Sequence, residues 1–138
     1  MRLQDDLGLA YVFISHDLGM VRHISDAIEV MYLGRVVESG PYDRVLDDAR
    51  HPYTRALAAA VPVPDPDRQH AGQALDKPVA VVAEPAAGCP YQLRCPLAES
   101  ICLELDPPLV ALAPAHLAAC HVAARDAGVA PAAGAPAS

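Results

Sequence analysis

Positive charge and aromatic side chains are both scarce in this chain of 138 residues. Lysine and arginine together number 10 against 17 aspartates and glutamates, and Lys77 is the single lysine. Because nucleic-acid phosphates are bound by clustered basic side chains, the formal net charge of -7 argues against a nucleic-acid partner. Tryptophan is absent and aromatic residues make up 4% of the chain, so much of the 53% hydrophobic share is alanine. The large apolar residues are concentrated before Val63.

Long apolar runs are also lacking. No run approaches the roughly 20 residues that a helix needs to span a bilayer. The apolar stretch Leu7 to Ile14 follows Asp5 and Asp6 and precedes no small-residue cleavage site, so it does not have the pattern of a signal peptide. We therefore expect a cytoplasmic protein. In that compartment, the four cysteines of this chain are more typical of metal ligands than of disulfides.

The first 61 residues alternate short strand and helix patterns, as in an α/β protein. Ala10 to Ile14 has no polar alternation, which predicts a strand buried on both faces. A helix is predicted from Leu18 to Ile24, and two strands joined at Gly34 are expected to form a hairpin. Further helices are predicted to begin with Pro41 as first helical residue and at His51-Pro52. Beyond Val61 the prolines of "VPVPDPDRQH" predict an extended linker, which we place at about residues 62–85.

The predicted strand breaks off at Ser15-His16-Asp17, immediately before the first predicted helix. The carboxyl edge of an open α/β sheet is where such proteins bind ligands, and an imidazole there can bond a phosphate oxygen. Two other readings of His16 are a loop histidine without a role and a Ser-His-Asp hydrolytic triad. The triad is disfavoured, because residues adjacent in sequence point in different directions.

A family resemblance gives His16 a more specific role. The stretch "FISHDLGMVRHISDAIEVMYLGRVVESGP" resembles the C-terminal part of an ABC-transporter ATPase, which contains its switch-histidine loop, and "HPYTRALAAAVPVPDP" resembles the oligopeptide/dipeptide-importer subclass. The resemblance covers about residues 2–121. It implies that His16 contacts the γ-phosphate of ATP and helps to orient the attacking water, with Asp17 shaping the loop. It also implies an α/β fold, the C-terminal part of a P-loop-type ABC ATPase domain, followed by a small, irregular, metal-stapled extension.

Three motifs that such ATPases use do not occur in this sequence. They are the phosphate loop G-x-x-x-x-G-K-S/T, the signature LSGGQ, and an apolar strand that ends in Asp-Glu. We therefore expect a fragment of an ATP-binding subunit that is inactive alone, whereas the complete subunit would use ATP and Mg²⁺. The resemblance implies a second ABC ATPase subunit, two membrane permease subunits and an extracytoplasmic peptide-binding protein as partners, at the inner face of the cell membrane. Apolar faces left without the rest of the sheet predict poor solubility or oligomerisation.

Four cysteines with the spacing C-x5-C-x6-C-x17-C follow the linker, at Cys89, Cys95, Cys102 and Cys120. Four thiolates can close a tetrahedral zinc site or hold an iron-sulfur cluster, and this spacing does not choose between them. Four buried free thiols are the other alternative. His116 and His121 lie close to Cys120 and could replace a ligand, which keeps zinc open.

The cysteine pattern is similar to the C-terminal extension of the peptide-importer ATPases. That resemblance implies a 4Fe-4S cluster held by Cys89, Cys95, Cys102 and Cys120, with zinc as the alternative. The expected organisation is residues 1–50 as the end of the nucleotide-binding domain, 51–88 as a helix and proline-rich linker, 89–122 as the metal-binding segment and 123–138 as a disordered tail. A competing hypothesis is a non-enzymatic, metal-stapled interaction module.

Overall fold

The computed structural model describes residues 8–15, 18–60 and 85–130. Within these ranges short helices alternate with short strands, which agrees with the predicted α/β class. The described residues include no helix that is long and apolar enough to cross a membrane. The elements run in the order α1 (Leu18–Ile24), β1 (Ala27–Tyr32), β2 (Arg35–Pro41), α2 (Tyr42–Asp47), α3 (Pro52–Ala59), α4 (Ser100–Glu104), β3 (Val110–Ala113), β4 (His116–Ala118) and α5 (His121–Asp126).

The hairpin of β1 and β2 confirms the predicted turn at Gly34. The two strands pair antiparallel from Ala27 opposite Pro41 to Tyr32 opposite Arg35. Leu33 and Gly34 both have positive φ, 47° and 76°, as in the type I′ turns whose twist matches that of the flanking strands. Buried and exposed residues alternate along β1, so one face of the hairpin is covered and the other meets solvent.

The helix that follows the hairpin begins one residue later than predicted. β2 continues to Pro41, which pairs with Ala27, and α2 starts at Tyr42 with Pro41 as its N-cap residue. The ladder therefore uses Ser39 to Pro41 as strand rather than as a helix start. α3 begins at Pro52 as predicted, with His51 as its N-cap and proline at its first position.

The cysteine segment adds two strands to the same sheet, which has the order β1-β2-β4-β3. β4 pairs antiparallel with β2, with Glu38 opposite Ala118, and the Ala119 amide donates to the Val37 carbonyl at 2.8 Å. Close approach requires Gly40, because a Cβ there would lie 2.7 Å from the carbonyl oxygen of Ala115. The expectation of an irregular extension is therefore wrong for this part, since a β-hairpin joins it to β2.

The buried core draws on both sides of the undescribed residues 61–84. α2 packs against β1, β2 and α3 on one side of the hairpin. Residues from the cysteine segment complete this cluster, so the segment is part of the same core. The buried members are Val21, Ile28, Val30, Tyr32, Val37, Val45, Cys89, Tyr91 and Cys102.

The apolar segment before α1 does not form the predicted buried strand. Residues 10–14 have no strand assignment, and Val12 and Ile14 are 95% and 93% exposed. A strand buried on both faces needs neighbours on both edges, and the sheet of the described residues does not pair with this segment. Large apolar side chains consequently face solvent.

Two other predictions concern the ends of the cysteine segment. The expected disordered tail, 123–138, begins too early, because α5 extends to Asp126 and buries Ala124. Arg125 on this helix donates to both carboxylate oxygens of Glu99, at 2.6 and 3.0 Å. Most of the predicted linker falls at residues 61–84, outside the described residues.

Candidate functional site

The four cysteines are brought together by three short backbone segments. Cys89 and Cys95 lie in a turn-rich loop, Cys102 lies in α4, and Cys120 is the N-cap residue of α5. The Cys89 amide donates to the Cys102 carbonyl at 2.8 Å, which ties the loop to the helix. All four are free thiols, buried except for Cys95, which is half-buried.

Gly88 allows the loop to approach α4 this closely. Its φ of +81° lies in the left-handed region, and a Cβ at this position would lie 2.4 Å from the Cys102 carbonyl oxygen. Any side chain would therefore collide with the backbone that pairs with Cys89. The glycine before the first cysteine is a geometric requirement of the site.

Burial and neighbouring charge both act on the titration of the thiols. Burial raises the pKa of Cys89 to about 11, and negative charge on Cys102, Cys120 and Cys95 raises it further. Burial is also the main cause of the raised pKa of Cys95 and of Cys120, and each is raised again by neighbouring cysteines. Cys89, Cys95 and Cys120 are therefore protonated at neutral pH unless a cation stabilises the thiolates.

Single-ion coordination fits these residues poorly. With Zn–S bonds of about 2.3 Å, four thiolates on one zinc ion lie within about 4 Å of each other. Among residues 8–15, 18–60 and 85–130, no three His, Cys, Asp or Glu side chains are grouped so as to hold a metal ion. Each of the two candidate histidines has one ring nitrogen in a hydrogen bond: Nε2 of His116 bonds Glu38 at 2.7 Å, and Nε2 of His121 lies 2.9 Å from the Leu105 carbonyl oxygen. Nδ1 of His116 is buried and has no hydrogen-bond partner among the described residues.

An aromatic cluster docks the cysteine loop onto the rest of the fold. Tyr91, between the first two cysteines, packs edge-on against Tyr32 of β1, with ring centroids 5.1 Å apart. Its ring also lies 5.5 Å from Tyr53 of α3 and 5.7 Å from His51. Tyr32 and Tyr53 are themselves in contact at 4.8 Å. Such pairs contribute about 0.5–1.5 kcal/mol each beyond the area they bury.

His51 explains the first position of the "HPY" sequence. Its Nδ1 accepts a hydrogen bond from the Tyr53 amide at 3.1 Å, which caps α3. Burial lowers the pKa of His51 to about 4, so the ring is neutral at neutral pH and keeps the lone pair that the cap requires. Proline then occupies the first helical position, and tyrosine joins the aromatic cluster.

Glu38 is the buried polar centre of this region. Its Oε1 accepts from the Arg50 amide and from Nε2 of His116, both at 2.7 Å, and its Oε2 accepts from the His51 amide at 3.0 Å. The side chains of Glu38 and His116 are 0% and 1% exposed. A carboxylate withdrawn from water is costly unless hydrogen bonds replace its hydration, and three donors do so here. The only local signal for this role is an acidic residue within the apolar run of β2.

The predicted phosphate-contacting residue, His16, and its neighbour Asp17 lie outside the described residues. α1 begins at Leu18, directly after them, as predicted.

Comparison with known families assigns this arrangement. A family model described as "Oligopeptide/dipeptide transporter, C-terminal region" matches residues 37–102. Residues 37–102 are therefore similar to the C-terminal region of oligopeptide/dipeptide transporters. Glu38, the "HPY" helix start and the first three cysteines all fall within the matched region, whereas His116 and Cys120 follow it. The resemblance inferred from the sequence is confirmed.

The curated relatives that the chain matches are ATP-binding proteins. The probable peptide ABC transporter ATP-binding protein y4tS of Sinorhizobium fredii is 47% identical over 124 residues, which are 90% of this chain and 35% of that protein. The oligopeptide transport ATP-binding protein OppF of Escherichia coli is 46% identical over 110 residues, 78% of this chain and 33% of that protein. OppF of Haemophilus influenzae is 41% identical over 120 residues, 86% and 36% respectively. The chain thus spans about a third of the length of the curated relatives it matches.

Proposed function

We propose that these residues serve as the C-terminal part of the ATP-binding subunit of an ABC importer for peptides. The observation that carries this proposal is 46–47% identity to peptide and oligopeptide transport ATP-binding proteins over 78–90% of the chain. In the complete subunit, binding and hydrolysis of ATP with Mg²⁺ would drive transport across the membrane. Its partners would be a second ATPase subunit, two membrane permeases and, through the complex, an extracytoplasmic peptide-binding protein. The subunit would lie at the inner face of the cell membrane.

Within that subunit, His16 is proposed to hydrogen-bond the γ-phosphate of ATP and to orient the attacking water. The motif "SHD" directly before α1 supports this role. An imidazole can donate one hydrogen bond to a phosphate oxygen and accept another from water, which is the combination that this task requires. Asp17 would shape the loop that presents the ring.

The nucleotide role is tested in a chimera in which this chain replaces the matching C-terminal third of E. coli OppF. The purified chimera should hydrolyse ATP, and His16→Ala should lower the turnover by about 100-fold or more, the usual contribution of a group that assists proton transfer. His23→Ala, on the exposed side of α1, is the matched control and should leave turnover unchanged. A folded chimera that ignores His16→Ala contradicts the proposal, and one without ATPase activity favours the interaction module.

We further propose that Cys89, Cys95, Cys102 and Cys120 hold a 4Fe-4S cluster. The support is the grouping of four free thiols, three of them buried, around the backbone hydrogen bond from Cys89 to Cys102, together with the resemblance of their spacing to that of the peptide-importer extension. When bound, such a cluster cross-links the segment and can exchange single electrons. The protein contributes the buried positions of Cys89, Cys102 and Cys120 and the Gly88 turn that places the first ligand.

The cluster assignment is tested on protein purified without oxygen. The sample should be brown, with iron and sulfide present in equal amounts and close to four of each per chain. Changing any one of the four cysteines to serine should lower the iron content, whereas Tyr11→Phe, on the exposed segment before α1, should not. A colourless protein with one zinc per chain would contradict the assignment.

A further inference from the structure

The buried Glu38 carboxylate joins two parts of the chain that are far apart in sequence. On one side it accepts from the amides of Arg50 and His51, which open the "HPY" helix α3. On the other side it accepts from His116 of β4, 78 residues along the chain. Because the carboxylate is 0% exposed, protein donors replace the water that would otherwise solvate it.

The position of His116 depends on the cysteine segment. β4 lies between Cys102 and Cys120, and its last residue, Ala118, pairs with Glu38 itself. The next amide, of Ala119, donates to the Val37 carbonyl, and Cys120 follows directly. A link that fixes Cys120 to the other cysteines therefore also fixes His116 against Glu38.

We propose that Glu38 couples the start of α3 to the cysteine segment. Its hydrogen bonds from the Arg50 and His51 amides depend on a folded cysteine segment. When His116 withdraws, the carboxylate loses one of three donors in a site closed to water, so its buried position becomes less favourable. A carboxylate that turns toward solvent accepts more weakly from the Arg50 and His51 amides. The state of the four cysteines is thereby transmitted to α3, whichever metal they bind and whether or not the subunit hydrolyses ATP.

The direct test measures amide hydrogen exchange by NMR in the full 138-residue chain. His116→Ala should accelerate exchange of the Arg50 and His51 amides by about tenfold relative to the ladder amides of β1 and β2. His116→Gln retains a donor of similar reach and should restore most of the protection. Glu99→Gln breaks the exposed pair with Arg125 on the same segment and serves as the matched control, with no change expected at either amide.

A double-variant comparison separates coupling from a general loss of stability. Cys120→Ser should accelerate exchange of the same two amides in the natural background but change it by less than about twofold when Glu38→Gln is already present. If His116→Ala does not fold, His116→Asn, whose donor is too short to reach Glu38, takes its place. Uniform acceleration of all amides, or Arg50 and His51 amides indifferent to His116→Ala, would overturn the proposal. So would an effect of Cys120→Ser that is equal in both backgrounds.

Discussion

Replacing Gly88 with alanine should destabilise the cysteine loop for two separate reasons. The first is conformational, since Gly88 has φ of +81°, where an L side chain is strained. The second is steric, because the new Cβ would lie 2.4 Å from the Cys102 carbonyl oxygen and 2.7 Å from the Leu103 carbonyl carbon. These are backbone atoms of α4, so relief requires the loop to move away from the helix.

The expected destabilisation follows from these two costs. A left-handed non-glycine residue costs roughly 1–2 kcal/mol. Moving the loop also breaks the Cys89 amide bond to the Cys102 carbonyl, worth about 1 kcal/mol, and opens buried contacts beside it. The two numbered costs add to about 2–3 kcal/mol in the free energy of unfolding, and the opened contacts add to this. Gly34→Ala is a close control, because Gly34 has φ of +76° and no non-neighbouring atom lies within 4 Å of the place that an alanine methyl would occupy. Only the conformational cost applies there, so a destabilisation of about 1–2 kcal/mol is expected.

Urea unfolding followed by circular dichroism measures both variants on the same scale. Reaction with a thiol reagent under native conditions gives an independent readout, since Cys89 and Cys102 are buried and should react faster only in Gly88→Ala. Equal destabilisation by Gly88→Ala and Gly34→Ala, with unchanged thiol reactivity, would refute the steric part of the reasoning.

Three further outcomes are expected. The free energy of unfolding should fall by up to about 3 kcal/mol as pH drops from 6.5 towards 4. In this range the unfolded chain protonates His51, whereas the folded chain does not, because burial lowers the pKa of the ring. His51→Asn keeps a cap acceptor and should remove this pH dependence in urea titrations. In metal-free protein, the free energy of unfolding should decline between about pH 9 and pH 11. In this range the unfolded chain releases the Cys89 proton, whereas the folded chain retains it because burial raises the pKa of the thiol. Cys89→Ala should flatten this part of the pH profile. Tyr91→Ala should cost about 3–5 kcal/mol by thermal unfolding, whereas Tyr91→Phe, which keeps the ring contacts, should cost much less.

Elements with strong local signals were predictable from the sequence. α1 occupies the predicted Leu18 to Ile24, the hairpin turns at Gly34, and α3 begins at the predicted proline. In each case apolar spacing, glycine or proline acts within a few residues. The cysteines were recognisable as one group by residue type, although their role as metal ligands remains a proposal.

Features that depend on distant partners were not predictable in this way. The run Ala10 to Ile14 has the composition of a buried strand, but composition does not supply neighbouring strands, and Val12 is exposed. His116 appeared as a possible zinc ligand because it is close to Cys120 in sequence, whereas the fold places its Nε2 against Glu38. A bond across 78 residues leaves no periodic trace that a local pattern could reveal.

The strand order β1-β2-β4-β3 has a consequence for the stretch at residues 61–84. The parts of the chain before and after this stretch are paired through the ladder of β2 with β4. Their relative placement is therefore set by main-chain pairing rather than by the length of residues 61–84. Doubling the length of a connection of this kind costs only about 0.6 kcal/mol if it is flexible. Insertions there should be well tolerated, and a protease cut there should leave two pieces that stay associated as a noncovalent pair.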